Sequence, residues 1–196
     1  MSLHVAIDTL GLLACSVYCT IPLFWLLVHP FVDRWRRRGR RAYALILPIW
    51  ALFILVAFVI VWPIRFAHFY TNWWSWLPGA ALFITGFSIY YAAFKSFDRA
   101  QVSGLAELEP NQHRQQLVTT GIRSRVRHPI YLGHLCEILG WCVGTGLVPI
   151  YVLAAFAVIT GLEMIRIEDR ELEARFGEQY RAYRRNVPAV IPHLLR

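Results

Sequence analysis

A chain of 196 residues that is 57% hydrophobic, only 16% charged and of mean hydropathy +0.45 lies outside the balance of a soluble domain. Its formal charge of +8 comes from arginines set between apolar runs, not along a soluble face, which excludes a nucleic-acid partner and points to a polytopic membrane protein. Cys15, Cys19, Cys136 and Cys142 all fall in apolar runs without zinc or redox spacing, and the seven histidines are scattered, so no metal site is expected.

Residues 5–28 are almost continuously apolar and long enough for a hydrocarbon core that needs ~20 residues. No lysine or arginine precedes them, so they lack the charged start of a secretory signal and are expected to remain as a first span. His29-Pro30 closes this run, and residues 33–41 (DRWRRRGRR) follow with six arginines, a signal that fixes orientation and suits anionic lipid. Residues 42–62 make a second span, residues 63–76 (PIRFAHFYTNWWSW) an aromatic belt, and residues 77–97 a third span, with Lys95, Asp98 and Arg99 marking the return to water. Of the 20 basic residues only Arg65 falls on the opposite side, which places the arginine loop, the segment from Lys95 to Arg127 and the tail in the cytoplasm.

Residues 98–128 are the longest polar segment, broken by Gly104, Pro110 and Gly121, with room to form a pocket. At Arg127-His128-Pro129 a helix is expected to start, because proline suits the first turn and pushes the residue before it toward extended geometry. The apolar runs 131–148 and 150–165 flank Pro149 and are each roughly 24 to 27 Å long as helices. They predict a tight helical hairpin, which makes His128 and Glu168 neighbours. Residues 163–183 are helix-prone and charged, with Gly177 ending or kinking them, and VPAVIP at 187–192 reads as an extended lid. The expected fold is therefore an all-α integral membrane protein of about five transmembrane helices, the last two a hairpin, with a cytoplasmic cofactor pocket and a C-terminal helix. Residues 1–97 carry three spans, and 98–196 the loop, hairpin and tail, as a single structural unit.

This topology gathers Arg127, His128 and Tyr131 at the start of the hairpin with Arg166, Glu168 and Asp169 at its end. Such a mixed cluster at a lipid boundary suits a polar cofactor, a carboxylate accepting from ribose hydroxyls or an ammonium group. Equally, the two arginines pair with the two acids and only tie the helix ends together. Glu137 and Glu163 lie within the hairpin, where an ionisable group reads as functional by default. Glu137 shares a side with His134, whereas Glu163 is expected to be solvated.

The passage LVTTGIRSRVRHPIYLG at 117–133, followed by Glu168-Asp169, FGEQYRAY and VPAVIP, resembles the isoprenylcysteine carboxyl methyltransferase and phospholipid methyltransferase superfamily over residues 115–192. The resemblance implies an S-adenosylmethionine-dependent methyltransferase that releases S-adenosylhomocysteine and acts on a lipophilic or small acceptor, a carboxylate, amine or thiol, beside membrane lipid. It implies cofactor contacts from Gln115, Gln116, Leu117, Val118, His128, Pro129, Ile130, Tyr131 and Glu168, with Asp169 replacing the second glutamate of the usual pair. Arg123 stands where the prenylcysteine enzymes have a cofactor-contacting tyrosine, and Met164 where they have an arginine for the substrate carboxylate. Arg166 is the nearest substitute, although two residues along a helix turn a side chain by about 200°. An acceptor that needs a base has Glu137 or His134 as candidates. Two other readings compete: an NADPH-dependent sterol or steroid reductase, whose C-terminal plan is similar but which commonly has asparagine where Ile130 stands, and a non-enzymatic scaffold. Compact arginine-rich loops suit a bacterial inner membrane.

Overall fold

A computed structural model of the chain describes residues 3–95, 108–109 and 116–192. Asp98, Arg99, Gly104, Pro110 and Gln115 lie outside the described residues. Those described are helical with no β-strand, only one isolated bridge between His68 and Leu147. The helices are α1 (Leu3–Tyr18), α2 (Ile21–Val28), α3 (Val32–Arg36), α4 (Tyr43–Val61), α5 (Trp76–Phe94), α6 (Pro129–Thr145), α7 (Val148–Phe176) and α8 (Glu178–Asn186).

Among the described residues four helical stretches are long and apolar enough to cross a membrane: Leu3–Arg36, Gly39–Ile64, Trp73–Phe94 and Val148–Phe176. α6, the fourth of the five expected spans, has 17 residues and is the most enclosed, with nine of them buried. The surface is apolar where the flanking helices face outward: Leu52, Leu55, Val59 and Ile60 of α4 and Ile159 and Leu162 of α7 are all exposed. In water so continuous a patch would be a liability, whereas in lipid it costs nothing, so the chain is an integral membrane protein.

The first span is not one continuous helix. Pro22 has no N–H to give to the preceding turn, and the chain breaks at Cys19-Thr20. The Thr20 hydroxyl donates back to Val17 O at 2.9 Å, while Trp50 of α4 donates its indole N–H to Thr20 O at 3.1 Å. Thr20 O also accepts the Phe24 N–H at 3.0 Å, so the indole of a neighbouring helix adds a second bond at the break.

Among the described elements, α5 and α6 form the most extensively packed pair. Glycines make this possible: a Cβ on Gly79 would sit 3.0 Å from Gly140 O and 3.2 Å from Gly144 Cα, and one on Gly86 3.1 Å from Gly133 O. Small residues that let backbones approach supply packing where lipid offers no hydrophobic drive between helices. Gly146 then ends α6 at φ 67°, and α7 begins at Val148 with Pro149 in its first turn. The aromatic segment clamps this turn: Phe69 N–H donates to Gly146 O and Val148 N–H to Ala67 O, each at 2.8 Å.

Candidate functional site

At the far ends of α6 and α7 the chain meets itself again. His128 precedes Pro129 with φ −115° and ψ 65°, outside the helical range, so its ring projects off the helix start. Its Nε2 lies 3.0 Å from Asp169 Oδ1 and its Nδ1 3.3 Å from Glu168 Oε2. A carboxylate only accepts, so both ring nitrogens carry hydrogen and His128 is an imidazolium. Burial disfavours that charge, but Glu168 beside it and the bond to Asp169 outweigh burial and raise its pKa to about 9.

Glu168 and Asp169 are consecutive, hence about 100° apart around α7, and they do different work. Glu168 lines a cavity of about 840 Å³. Asp169 stands behind that wall, 4% exposed, and accepts from Arg127 Nη2 at 2.7 Å, from His128 and from the Tyr180 hydroxyl of α8. Arg127 also donates to Val187 O at 2.5 Å, and the N–H groups of Arg127 and His128 donate to Pro188 O and Ala189 O, each at 2.9 Å. The extended segment after α8 is therefore strapped to the start of α6. Gly177, at φ 57°, lets α8 turn back from α7 to make this contact.

The cavity is lined by polar side chains, Glu168, His128, Arg123, Gln116 and Tyr183 among them, and by apolar ones, among them Ile21, Phe24, Trp25, Leu47, Trp50 and Phe94. Arg123 lies in a 3-10 turn over Gly121–Ser124; burial lowers its pKa, with Tyr183 and Glu168 acting against that shift. Gln116, Leu117, Val118, His128, Pro129, Ile130, Tyr131, His134 and Glu168 all line this cavity. Three other expected site residues do not. Asp169 is the hub behind the wall. Glu137 is 1% exposed against Gly86 of α5, with Oε1 lacking a hydrogen-bond partner among the described residues. Arg166 has a 67% exposed side chain bonded to Glu163 at 3.1 Å, because its two-residue offset from Glu168 turns it outward.

His29 and Glu171 were not anticipated from the sequence. His29 lines the cavity and its Nδ1 pairs with Glu171. The available signal was the i, i+3 spacing of Glu171 from Glu168, which puts both acids on one face of α7. His29-Pro30 had read only as the end of a span. No group of three or more His, Cys, Asp or Glu side chains suited to a metal occurs among the described residues.

A family model described as phospholipid methyltransferase matches residues 74–179, more than half of the chain. Protein-S-isoprenylcysteine O-methyltransferase B of Arabidopsis thaliana is 32% identical over 127 residues, 62% of this chain and 61% of that protein. Methanethiol S-methyltransferase 2 of Bradyrhizobium diazoefficiens is also 32% identical over 127 residues, 63% of this chain and 44% of its own length. A methanethiol S-methyltransferase of Crocosphaera subtropica is 38% identical over 69 residues, 35% of this chain and 26% of that protein. The chain thus spans less than two thirds of each of these relatives. No solved structure matches it. With the matched region running from α5 through the acidic pair of α7 to the start of α8, the chain belongs to the phospholipid methyltransferase family.

Proposed function

We propose that the chain is an S-adenosylmethionine-dependent methyltransferase whose cofactor lies in the large cavity with its polar end against Glu168. The observation that carries this reading is that a carboxylate, other polar side chains and aromatic, apolar ones line one cavity of about 840 Å³. The residues fit the group: Glu168 is an acceptor for an ammonium or for ribose hydroxyls, and the segment from Gln116 to Val118 offers backbone groups beside it. When bound, S-adenosylmethionine supplies a methyl already activated on a sulfonium sulfur. The protein then contributes orientation and exclusion of water. His128 and Asp169 hold Glu168 in place from behind, and the strap at residues 187–189 holds the Arg127-His128 backbone.

The acceptor reaches the cavity from the lipid side. The named relatives act on isoprenylcysteine and on methanethiol, and the family name specifies phospholipid; this chain's acceptor belongs to the same range of lipophilic or small nucleophiles. With Met164 buried at the place of the expected carboxylate-binding arginine and Arg166 facing outward, a prenylcysteine carboxylate is the least suited of these. We further read α6 as a fifth crossing, paired with α7 as a hairpin, and the cavity as cytoplasmic, on the strength of the arginine distribution.

The test is equilibrium binding of S-adenosylmethionine and of NADPH to the detergent-solubilised chain, followed by transfer of labelled methyl to a panel of lipid thiols, amines and carboxylates. Binding of the first cofactor with transfer is expected. Binding of NADPH alone would establish the reductase reading in its place.

A further inference from the structure

His134 stands one turn inside α6 and forms part of the wall between two hollows. The large cavity lies on one side. On the other is a smaller hollow of about 180 Å³, and the two share Tyr18, Ile21, Tyr131 and His134. Among the described residues no charged one lines the smaller hollow, which is bounded by α1, α2, α6, α7 and the strap.

The protonation of His134 follows from geometry. Its Nδ1 lies 2.6 Å from Ile130 O, one turn back on its own helix. A carbonyl only accepts, so Nδ1 carries the hydrogen, and a neutral ring then has its lone pair on Nε2. Tyr18 and Tyr90 meet the ring edge-on, with centroids 5.7 and 5.4 Å away, and fix its plane. Neither tyrosine hydroxyl bonds to Nε2. Glu137, the other candidate base, lines neither hollow.

We propose that His134 is the base that takes the proton from an apolar thiol through Nε2, with the thiol's hydrocarbon group lying in the smaller hollow against Gly161. This rests on the methyltransferase reading. The thiol S–H bond breaks and its proton passes to Nε2; the sulfur's electron pair forms the new bond to the methyl carbon, and the pair of the broken methyl–sulfonium bond stays with the departing sulfur. A carboxylate would need no base and finds no cation in the smaller hollow. An ammonium loses its proton near ~10.4, against ~8.5 for a thiol and ~6.5 for imidazole, so the thiol is the closer match. It also enters apolar space as a neutral molecule. Gly161 leaves the room: a Cβ there would have only Pro22 Cγ near it, at 3.9 Å.

The experiment uses the full chain in detergent with ¹⁵N-labelled histidine, octanethiol and ethanethiol. The ¹⁵N spectrum is expected to show His134 protonated at Nδ1 and bare at Nε2, with the Nε2 signal moving on addition of octanethiol before any cofactor is present. His134→Gln is expected to lower kcat for octanethiol by about a hundredfold and to abolish the acid limb of the pH profile. Gly161→Phe is expected to lower the kcat/KM ratio of octanethiol to ethanethiol about tenfold. A proton found on Nε2, or His134→Gln with wild-type kcat and pH profile, overturns the proposal while leaving the methyltransferase reading intact. Absence of S-adenosylmethionine binding by the wild-type chain overturns both.

Discussion

His128 Nε2 donates to Asp169 Oδ1 at 3.0 Å across 41 residues of sequence, and this bond closes the end of the α6–α7 pair on which the proposed site stands. Because Glu168 bonds the other nitrogen of the same ring, the support and the cavity wall are linked through one imidazolium. The two neighbouring acids should therefore fail differently when altered.

Asp169→Asn leaves Arg127 and His128 short of a counter-charge in a buried place, so the chain should lose about 3 kcal/mol of stability. Glu168→Gln should instead weaken S-adenosylmethionine binding about tenfold, ~1.4 kcal/mol, and lower the unfolding midpoint less than Asp169→Asn, because it removes one partner of His128 and none of Arg127. Thermal unfolding in detergent and calorimetric titration of both variants separate the roles. The reverse pattern would show that the acids have been assigned the wrong way round.

His128 gives stability a specific pH dependence. Its pKa is raised to about 9 in the folded chain, from ~6.5 in an unfolded one. A raised folded value means the contribution is fully present below about pH 6.5 and disappears as pH rises through about 9. It amounts to on the order of 3 kcal/mol. The unfolding midpoint should fall across that window in the wild type, and the same fall should be missing from His128→Asn. A wild-type midpoint that rises there would contradict the charged His128.

Two glycines should respond to alanine with opposite signs. At Gly146 the backbone has φ 67° and a Cβ would lie 2.4 Å from Tyr70 O, a backbone atom that cannot swing away. Gly146→Ala should cost about 2 kcal/mol or more. Gly161 lies mid-helix with open space at its Cβ, so Gly161→Ala should raise stability by roughly 0.5 to 1 kcal/mol. Unfolding midpoints of the two single variants, measured in one detergent, check both signs.

Arg127 binds Asp169 through one terminal nitrogen and Val187 O through the other, which a lysine cannot reproduce. Arg127→Lys should loosen the strap at residues 187–189 while α6 and α7 stay formed. Hydrogen exchange should then rise at the amides of residues 127 and 128, which donate to Pro188 O and Ala189 O, at least tenfold if ~1.4 kcal/mol of local stability is lost. Unchanged exchange would show that the backbone bonds hold the strap unaided.

Membrane class, four of the five expected spans and the meeting of His128 with the acidic pair were legible in the sequence, because they rest on composition and on the 1.5 Å rise of a helix. Gln116, Leu117, Val118 and Ile130 were reached only through resemblance, since nothing in their chemistry marks them. The division of labour between Glu168 and Asp169, the outward turn of Arg166, the seclusion of Glu137 and the arrival of His29 at the cavity were decided by tertiary packing. Each depends on which face of a helix meets which neighbour. That is settled by glycine-scale contacts such as Gly79 on Gly144 and by the break at Thr20, and a one-dimensional pattern does not encode how those surfaces fit.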